Sequence, residues 1–237
     1  MSEADQQDGP EGLERVAEAC AAALPPDEEH RLEALRRYDV LDTPPEQSFD
    51  DLTALAAQIC QTPIALVTLV DANRQWFKSR HGLDATETPR EVAFCAHAML
   101  RDDVFVVPDA REDPDFANNP MVTGPPHLRF YAGAPLVTPD GFRLGTLCVI
   151  DHEPRQLTSV QLESLRALAR QVVSQLELRL HVQDLSREVQ WRKGAAEALQ
   201  QSEDRYRLVS TNVPGVVFRC VRDADGNLRF TYASDGA

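Results

Sequence analysis

An apolar stripe that keeps helical spacing for about forty residues constrains this chain more than any other feature. Leu157-Thr158-Ser159-Val160-Gln161-Leu162 opens it with a capping box between Thr158 and Gln161 and a hydrophobic staple between Leu157 and Leu162. Leu165, Ala169, Val172 and Leu176 continue along one face. Leu178, Val182, Leu185, Val189, Ala196 and Leu199 then hold a 4-3 alternation broken only by Arg192. One small domain cannot cover a helix of that length, so part of it needs a partner helix. The stripe also changes phase near Leu176–Leu178, where two registers of the helix are expected to compete. The expectation is a connecting helix over residues 158–202 that pairs in parallel with a second copy, giving a homodimer.

The 237 residues leave room for one full domain besides this helix. Residues 1–26 belong to an acidic N-terminal stretch expected to be disordered, with a short helix possible around Leu13–Leu24; nine acids and the single Arg15 fall within residues 1–30. Residues 27–47 read as a short helix and lead-in, with Asp27-Glu28-Glu29 at the start and Arg36-Arg37 at the end, as the helix dipole prefers. Residues 48–157 read as the domain core. There Phe49, Leu52, Ala56 and Ile59 recur at helical spacing, and Pro63 to Val70 is a dense run of strand formers answered across Asp71-Ala72-Asn73 by Gln75 to Ser79. Thr88 as N-cap, Pro89 at the first helical position and Glu91 at the third predict a helix over Pro89–Leu100. Val104–Val107 is a short strand, 108–126 a polar loop, and Leu128–Val137 with Arg143–Ile150 a hairpin turning at Thr138-Pro139-Asp140-Gly141. In residues 203–237 a short helix over Glu203–Val209 precedes Val216–Cys220 and Leu228–Tyr232, two strands that cannot enclose a core by themselves. The fold class is α+β, a central antiparallel sheet flanked by helices.

Bulk composition removes several function classes. A net charge of −14 argues against binding a phosphate backbone, which is driven by clustered cations. The absence of a long apolar run argues against a membrane span. Five cysteines at wide, irregular spacings, without CxxC pairs, read as reduced thiols of a cytoplasmic protein. The loop acids Asp109, Asp113 and Asp115 lack the order of an EF-hand and read as solvated, so no metal site is expected. A nucleic-acid partner and a membrane partner are both excluded on this reading.

The segments Leu41-Asp42-Thr43-Pro44-Pro45-Glu46, Arg74-Gln75-Trp76-Phe77-Lys78-Ser79, Phe94-Cys95-Ala96-His97-Ala98, Arg129 to Leu136 and Leu144-Gly145-Thr146-Leu147-Cys148-Val149-Ile150-Asp151 occur in that order. Together they resemble the GAF domains of bacterial sensor histidine kinases and diguanylate cyclases, over Leu41 to about Arg179. Glu203-Asp204-Arg205-Tyr206-Arg207 and Val213-Pro214-Gly215-Val216-Val217 are similar to the opening of a PAS domain. The resemblance implies a sensory input module of two-component type with a small-molecule pocket on one side of the sheet. Its ligand is unknown; no cofactor is expected, and with no phosphoacceptor-histidine helix, ATP-lid motif or cyclase signature in these residues, any kinase or cyclase activity is expected to lie outside this chain.

The residues offered for that pocket are Trp76, Cys95, His97, Arg129 and Tyr131. Cys95 and His97 invite a metal, nucleophile or bilin reading, but on a helix they point about 200° apart. Cys95 is then most simply a small buried hydrophobe, and Cys148, on a strand face with Leu144, Thr146 and Ile150, reads as core. Arg129 and Tyr131 alternate with Phe130, so they face the pocket or solvent if Phe130 faces the core. The rival reading is a thiol redox enzyme or a bilin photoreceptor centred on Cys95.

Overall fold

The computed structural model describes residues 20–212, 218–223 and 227–233. Residues 1–19 of the acidic stretch 1–26, and with them residues 13–19 of the Leu13–Leu24 segment, lie outside the described residues, as do Val216 and Val217 of the first PAS-like strand; residues 20–24 are not helical. The chain divides into two units, 1–181 and 182–237.

In the first unit, α1 (Glu28–Arg37) carries its acids in the first turn and its bases in the last. Helix α2 (Gln47–Cys60) buries Phe49, Thr53, Ala56, Ala57 and Cys60 and ends at Gln61 in the left-handed conformation. The strands β1 (Ile64–Val70), β2 (Arg74–His81), β3 (Glu87–Pro89), β4 (Phe105–Val107), β5 (Phe130–Val137) and β6 (Arg143–Asp151) form one antiparallel sheet of order β3-β2-β1-β6-β5-β4. Both hairpins expected from the sequence are present, and they meet through β1 and β6.

Every residue of β1 is buried, because both faces of the sheet are covered. Alternation sends Ala65, Val67 and Leu69 to one face with Phe130, Leu147 and Val149, where α1, α2 and Leu165, Ala169, Val172 and Leu176 pack. It sends Ile64, Leu66 and Val70 to the other face with Tyr131, Cys148 and Ile150, under Phe94, Met99, Phe116 and Leu128. Leu144, expected on the face of Cys148, packs in the first of these cores instead.

The predicted helix over Pro89–Leu100 does not form as such. Glu87–Pro89 pairs with β2 as β3, Arg90–Val92 makes a single 3-10 turn, and α3 spans only Phe94–Ala98. Thr88 sits opposite Gln75 in the sheet instead of capping a helix. A tertiary interaction overrides the local signal. The Arg90 side chain, almost fully buried, donates to Glu28 of α1 at 2.5 Å and to the Asp71 carbonyl at 3.0 Å, while its backbone N–H donates to Asn73. A helix starting at Pro89 would turn that guanidinium away. The loop after β4 contains a short helix, α4 (Pro120–Thr123), capped by Asn119.

A bulge separates β1 from β2. Val67 pairs with Ser79 and Thr68 with Phe77, leaving Lys78 as the extra residue. Bulges re-aim side chains, and this one sends the Lys78 ammonium into the segment before α2. There all three of its donors are used, by Thr43 Oγ1 (2.9 Å), the Pro44 carbonyl (2.9 Å) and Glu46 (2.6 Å).

Helix α5 runs from Ser159 to Asn212, 54 residues, so the expected break before Glu203 is absent. Its start has the predicted capping box: Gln161 Oε1 accepts from the Thr158 N–H at 2.9 Å and Thr158 Oγ1 from the Gln161 N–H at 3.3 Å. In the second unit the residues of the 4-3 stripe are solvent-exposed: Val182, Leu185, Val189 and Leu199 each show more than half of their surface. The strands β7 (Phe218–Arg222) and β8 (Leu228–Ala233) form an antiparallel hairpin on which the rings of Phe218 and Phe230 meet edge to face at 5.3 Å.

Candidate functional site

The five residues singled out in the sequence do not converge. Trp76 lies on the helix-covered face of the sheet, the side opposite Cys95 and Tyr131. There it lines a surface groove of about 490 Å³ with Asp42, Asp50, Lys78 and Arg80. His97 is half-buried at the rim of α3, its Nε2 2.9 Å from the Cys20 carbonyl and its ring edge-on to Phe116. Arg129 spends its guanidinium on the carbonyls of Val122 (2.8 Å) and Leu128 (3.1 Å), fastening the loop that carries α4. These three lie at three separate places.

Cys95 and Tyr131 do meet, and three residues not foreseen as site residues join them. The Tyr131 hydroxyl donates to Cys95 Sγ at 3.2 Å, and Cys148 Sγ lies 3.7 Å from Cys95 Sγ. Thr146 Oγ1 stands 3.4 Å from the Tyr131 hydroxyl and 3.1 Å from Thr68 Oγ1, which also donates to the Thr146 carbonyl. All five residues are essentially inaccessible to solvent. The phenol reaches Cys95 by lying flat over Gly133, where a Cβ would come within 2.2 Å of the hydroxyl. Gly145 has a comparable function between β1 and β6, since a Cβ there would strike the Thr68 carbonyl at 2.0 Å.

Buried hydroxyls and thiols in an otherwise apolar core need mutual hydrogen bonds, and this cluster supplies them. Burial pushes the Cys95 thiol up, but hydrogen bonds from Cys148, Thr146, Thr68 and Tyr131 outweigh it and bring it down to about 7. Burial and the neighbouring Cys95 push Cys148 and Tyr131 well above their ordinary values. Of the two sulfurs, Cys95 is thus the more readily deprotonated. Alternation along β6 places Cys148 and Thr146 on one face, but the approach of Cys95, 53 positions away in sequence, is a product of tertiary packing. The side of the sheet on which a ligand pocket was expected is packed with side chains around this cluster: Phe94 stacks on Phe116 at 4.0 Å and leans on Tyr131 at 5.4 Å.

Another concavity, of about 570 Å³, is lined by Asp109, Glu112, Asp113 and Arg155 among others. Its acids serve the loop itself. Asp109 binds Arg111 at 2.6 Å and Asp113 accepts the Asp115 N–H at 3.0 Å. Among the described residues no three His, Cys, Asp or Glu side chains are grouped to hold a metal, and no helix is long and apolar enough to cross a membrane.

The chain is 44% identical over 153 residues to a cyclic di-GMP phosphodiesterase of Pseudomonas aeruginosa, a match that takes in 64% of this chain. The chain spans about a quarter of that relative's length, 26%. The expectation that this chain has no enzyme activity of its own is corrected by this finding, because the relative is itself named as an enzyme. Among solved structures, the GAF domain of an Acinetobacter phosphoenolpyruvate-protein phosphotransferase aligns at 15% identity and a TM-score of 0.48, covering 65% of this chain and 98% of that one. The free methionine-R-sulfoxide reductase of Neisseria meningitidis aligns at 18% identity and a TM-score of 0.48, covering 68% and 98%. The model of the GAF domain family matches residues 44–176, more than half of the chain and the span that contains the whole six-stranded sheet, so this chain belongs to the GAF domain family.

Proposed function

We propose that this chain is the GAF input region of a cytoplasmic bacterial protein that turns over cyclic di-GMP, and that the exposed half of α5 pairs with a second copy to carry a signal along the chain. The observation behind the reading is the 44% identity to a cyclic di-GMP phosphodiesterase over 153 residues. It favours cyclic di-GMP chemistry over the histidine-kinase output suggested by motif resemblance. The dimer is supported by the exposed stripe: Leu178, Val182, Leu185, Val189 and Leu199 keep coiled-coil spacing and show between 53% and 63% of their surface, which is costly in water without a partner helix. The hairpin of β7 and β8 beyond the helix supports reading residues 203–237 as the start of a PAS domain.

The signal would be a choice between two settings of the paired helices, biased where α5 leaves the sheet. At that point Tyr38 donates to Glu177, and Arg179 binds Glu46, the same carboxylate that holds Lys78. The test uses the complete protein that contains this chain, with cyclic di-GMP consumption followed by chromatography. Leu185→Glu with Val189→Glu should convert a dimer to a monomer by light scattering and change the hydrolysis rate by at least about fivefold, the lower end of ordinary coupling between sites. A complete protein that leaves cyclic di-GMP intact would overturn the output assignment. A monomeric wild type would overturn the relay.

A further inference from the structure

We propose that Cys95 and Cys148 are a redox modification site, closing to a reversible disulfide that fastens α3 to β6 inside the sheet's second core. The two sulfurs are 3.7 Å apart on elements with no covalent connection nearby, and closure to the roughly 2.05 Å of a disulfide needs a movement of under about 2 Å. Neither sulfur is committed elsewhere to a metal or to an ion pair with a cation. All five cysteines are free, and among the described residues Cys95 and Cys148 alone bring their sulfurs within hydrogen-bonding reach of each other.

The surroundings suit the chemistry. Attack on an oxidant needs thiolate at one sulfur and a second thiol in place to resolve the product. The hydrogen bond from Tyr131 and the nearby hydroxyls of Thr68 and Thr146 stabilise negative charge on Cys95, while Cys148 keeps its proton. The oxidant is a small hydroperoxide, ROOH. Cys95 gives up its proton, its sulfur attacks the terminal oxygen, and the O–O bond breaks; the departing alkoxide takes a proton and leaves as ROH, with Cys95 as the sulfenic acid. The Cys148 sulfur then attacks the Cys95 sulfur and displaces hydroxide, which leaves as water with the Cys148 proton. In sum, two thiols and one ROOH give one disulfide, ROH and water. Burial makes the first step slow unless α3 lifts, and the five-residue length of α3 makes it the movable cover.

The experiment treats the folded full chain with hydrogen peroxide, quenches with a thiol-alkylating reagent in denaturant and maps peptides by mass spectrometry. The expected result is a Cys95–Cys148 linked peptide lighter by two hydrogens, the disappearance of both free thiols together, and recovery of both on adding a dithiol reductant. In Cys148→Ser the same treatment should leave sulfenic acid at Cys95, trapped by a cyclic dione. Should that variant fail to fold, the wild-type peptide map decides alone. Oxidation confined to the exposed Cys220, or Cys95 and Cys148 both recovered fully alkylated after peroxide treatment, would overturn the proposal.

Discussion

At the scale of single residues, Glu28 shows how a distant partner rewrites a local signal. It accepts from Arg31 Nε and Nη2, both at 2.7 Å, and from Arg90 at 2.5 Å. Burial alone would raise its carboxyl, but these hydrogen bonds win and hold it down at about 2. An unfolded Glu titrates near ~4.3, so the folded state binds fewer protons across that interval. The stability contributed by this depressed group is fully present above about 4.3 and is lost as the pH falls towards about 2. Urea midpoints measured across that range should fall for the wild type and fall less for Glu28→Gln, which has no carboxylate to protonate. Parallel curves would show that the ion pairs contribute nothing to acid sensitivity. The motif Thr88-Pro89-Arg90-Glu91 is indistinguishable from a helix start when read locally, because Glu28 lies sixty residues upstream. Cys95 was legible as a buried residue from its neighbours on the helix face, whereas its contact with Cys148 required both the sheet register and the position of α3.

Among the elements, both hairpins and the amphipathic start of α5 were written in the sequence, since alternation and capping are local properties. The bulge in β2 was not, because an extra residue in a strand shows only against its partner's register. That bulge buries Lys78 completely beside Glu46, with Phe49 under the ammonium at 5.3 Å. Replacing Lys78 by Met would keep the apolar stem and remove the charge. Glu46 would lose one of its two cations but keep Arg179, and it is a third exposed. The expected loss is therefore roughly 2 kcal/mol, less than for a fully dry pair. Chemical denaturation of Lys78→Met reads it directly, and an unchanged midpoint would mean that the ammonium only fills space.

For the whole molecule, the change of phase in the stripe near Leu176–Leu178 coincides with the change from buried to exposed helix. Leu176 is fully buried and Leu178 shows 56% of its surface. The helix thus belongs to the sheet's core as far as Leu176 and carries its apolar stripe in the open beyond it. A chain ending at His181 retains the sheet and the helix residues packed on it. It should unfold in one transition with the midpoint of the full chain's GAF unit, as followed by the fluorescence of Trp76, the one tryptophan such a fragment retains. A fragment that is largely unfolded would show that the remaining residues are needed for folding. The single supernumerary residue of β2 has a further consequence. Glu46 Oε1 accepts from both Lys78 and Arg179, so the part of the long helix packed on the sheet shares an anchor with a residue count in a strand a hundred positions earlier. Adding or removing one residue there would swing the ammonium to the other face of the strand and leave Glu46 to Arg179 alone.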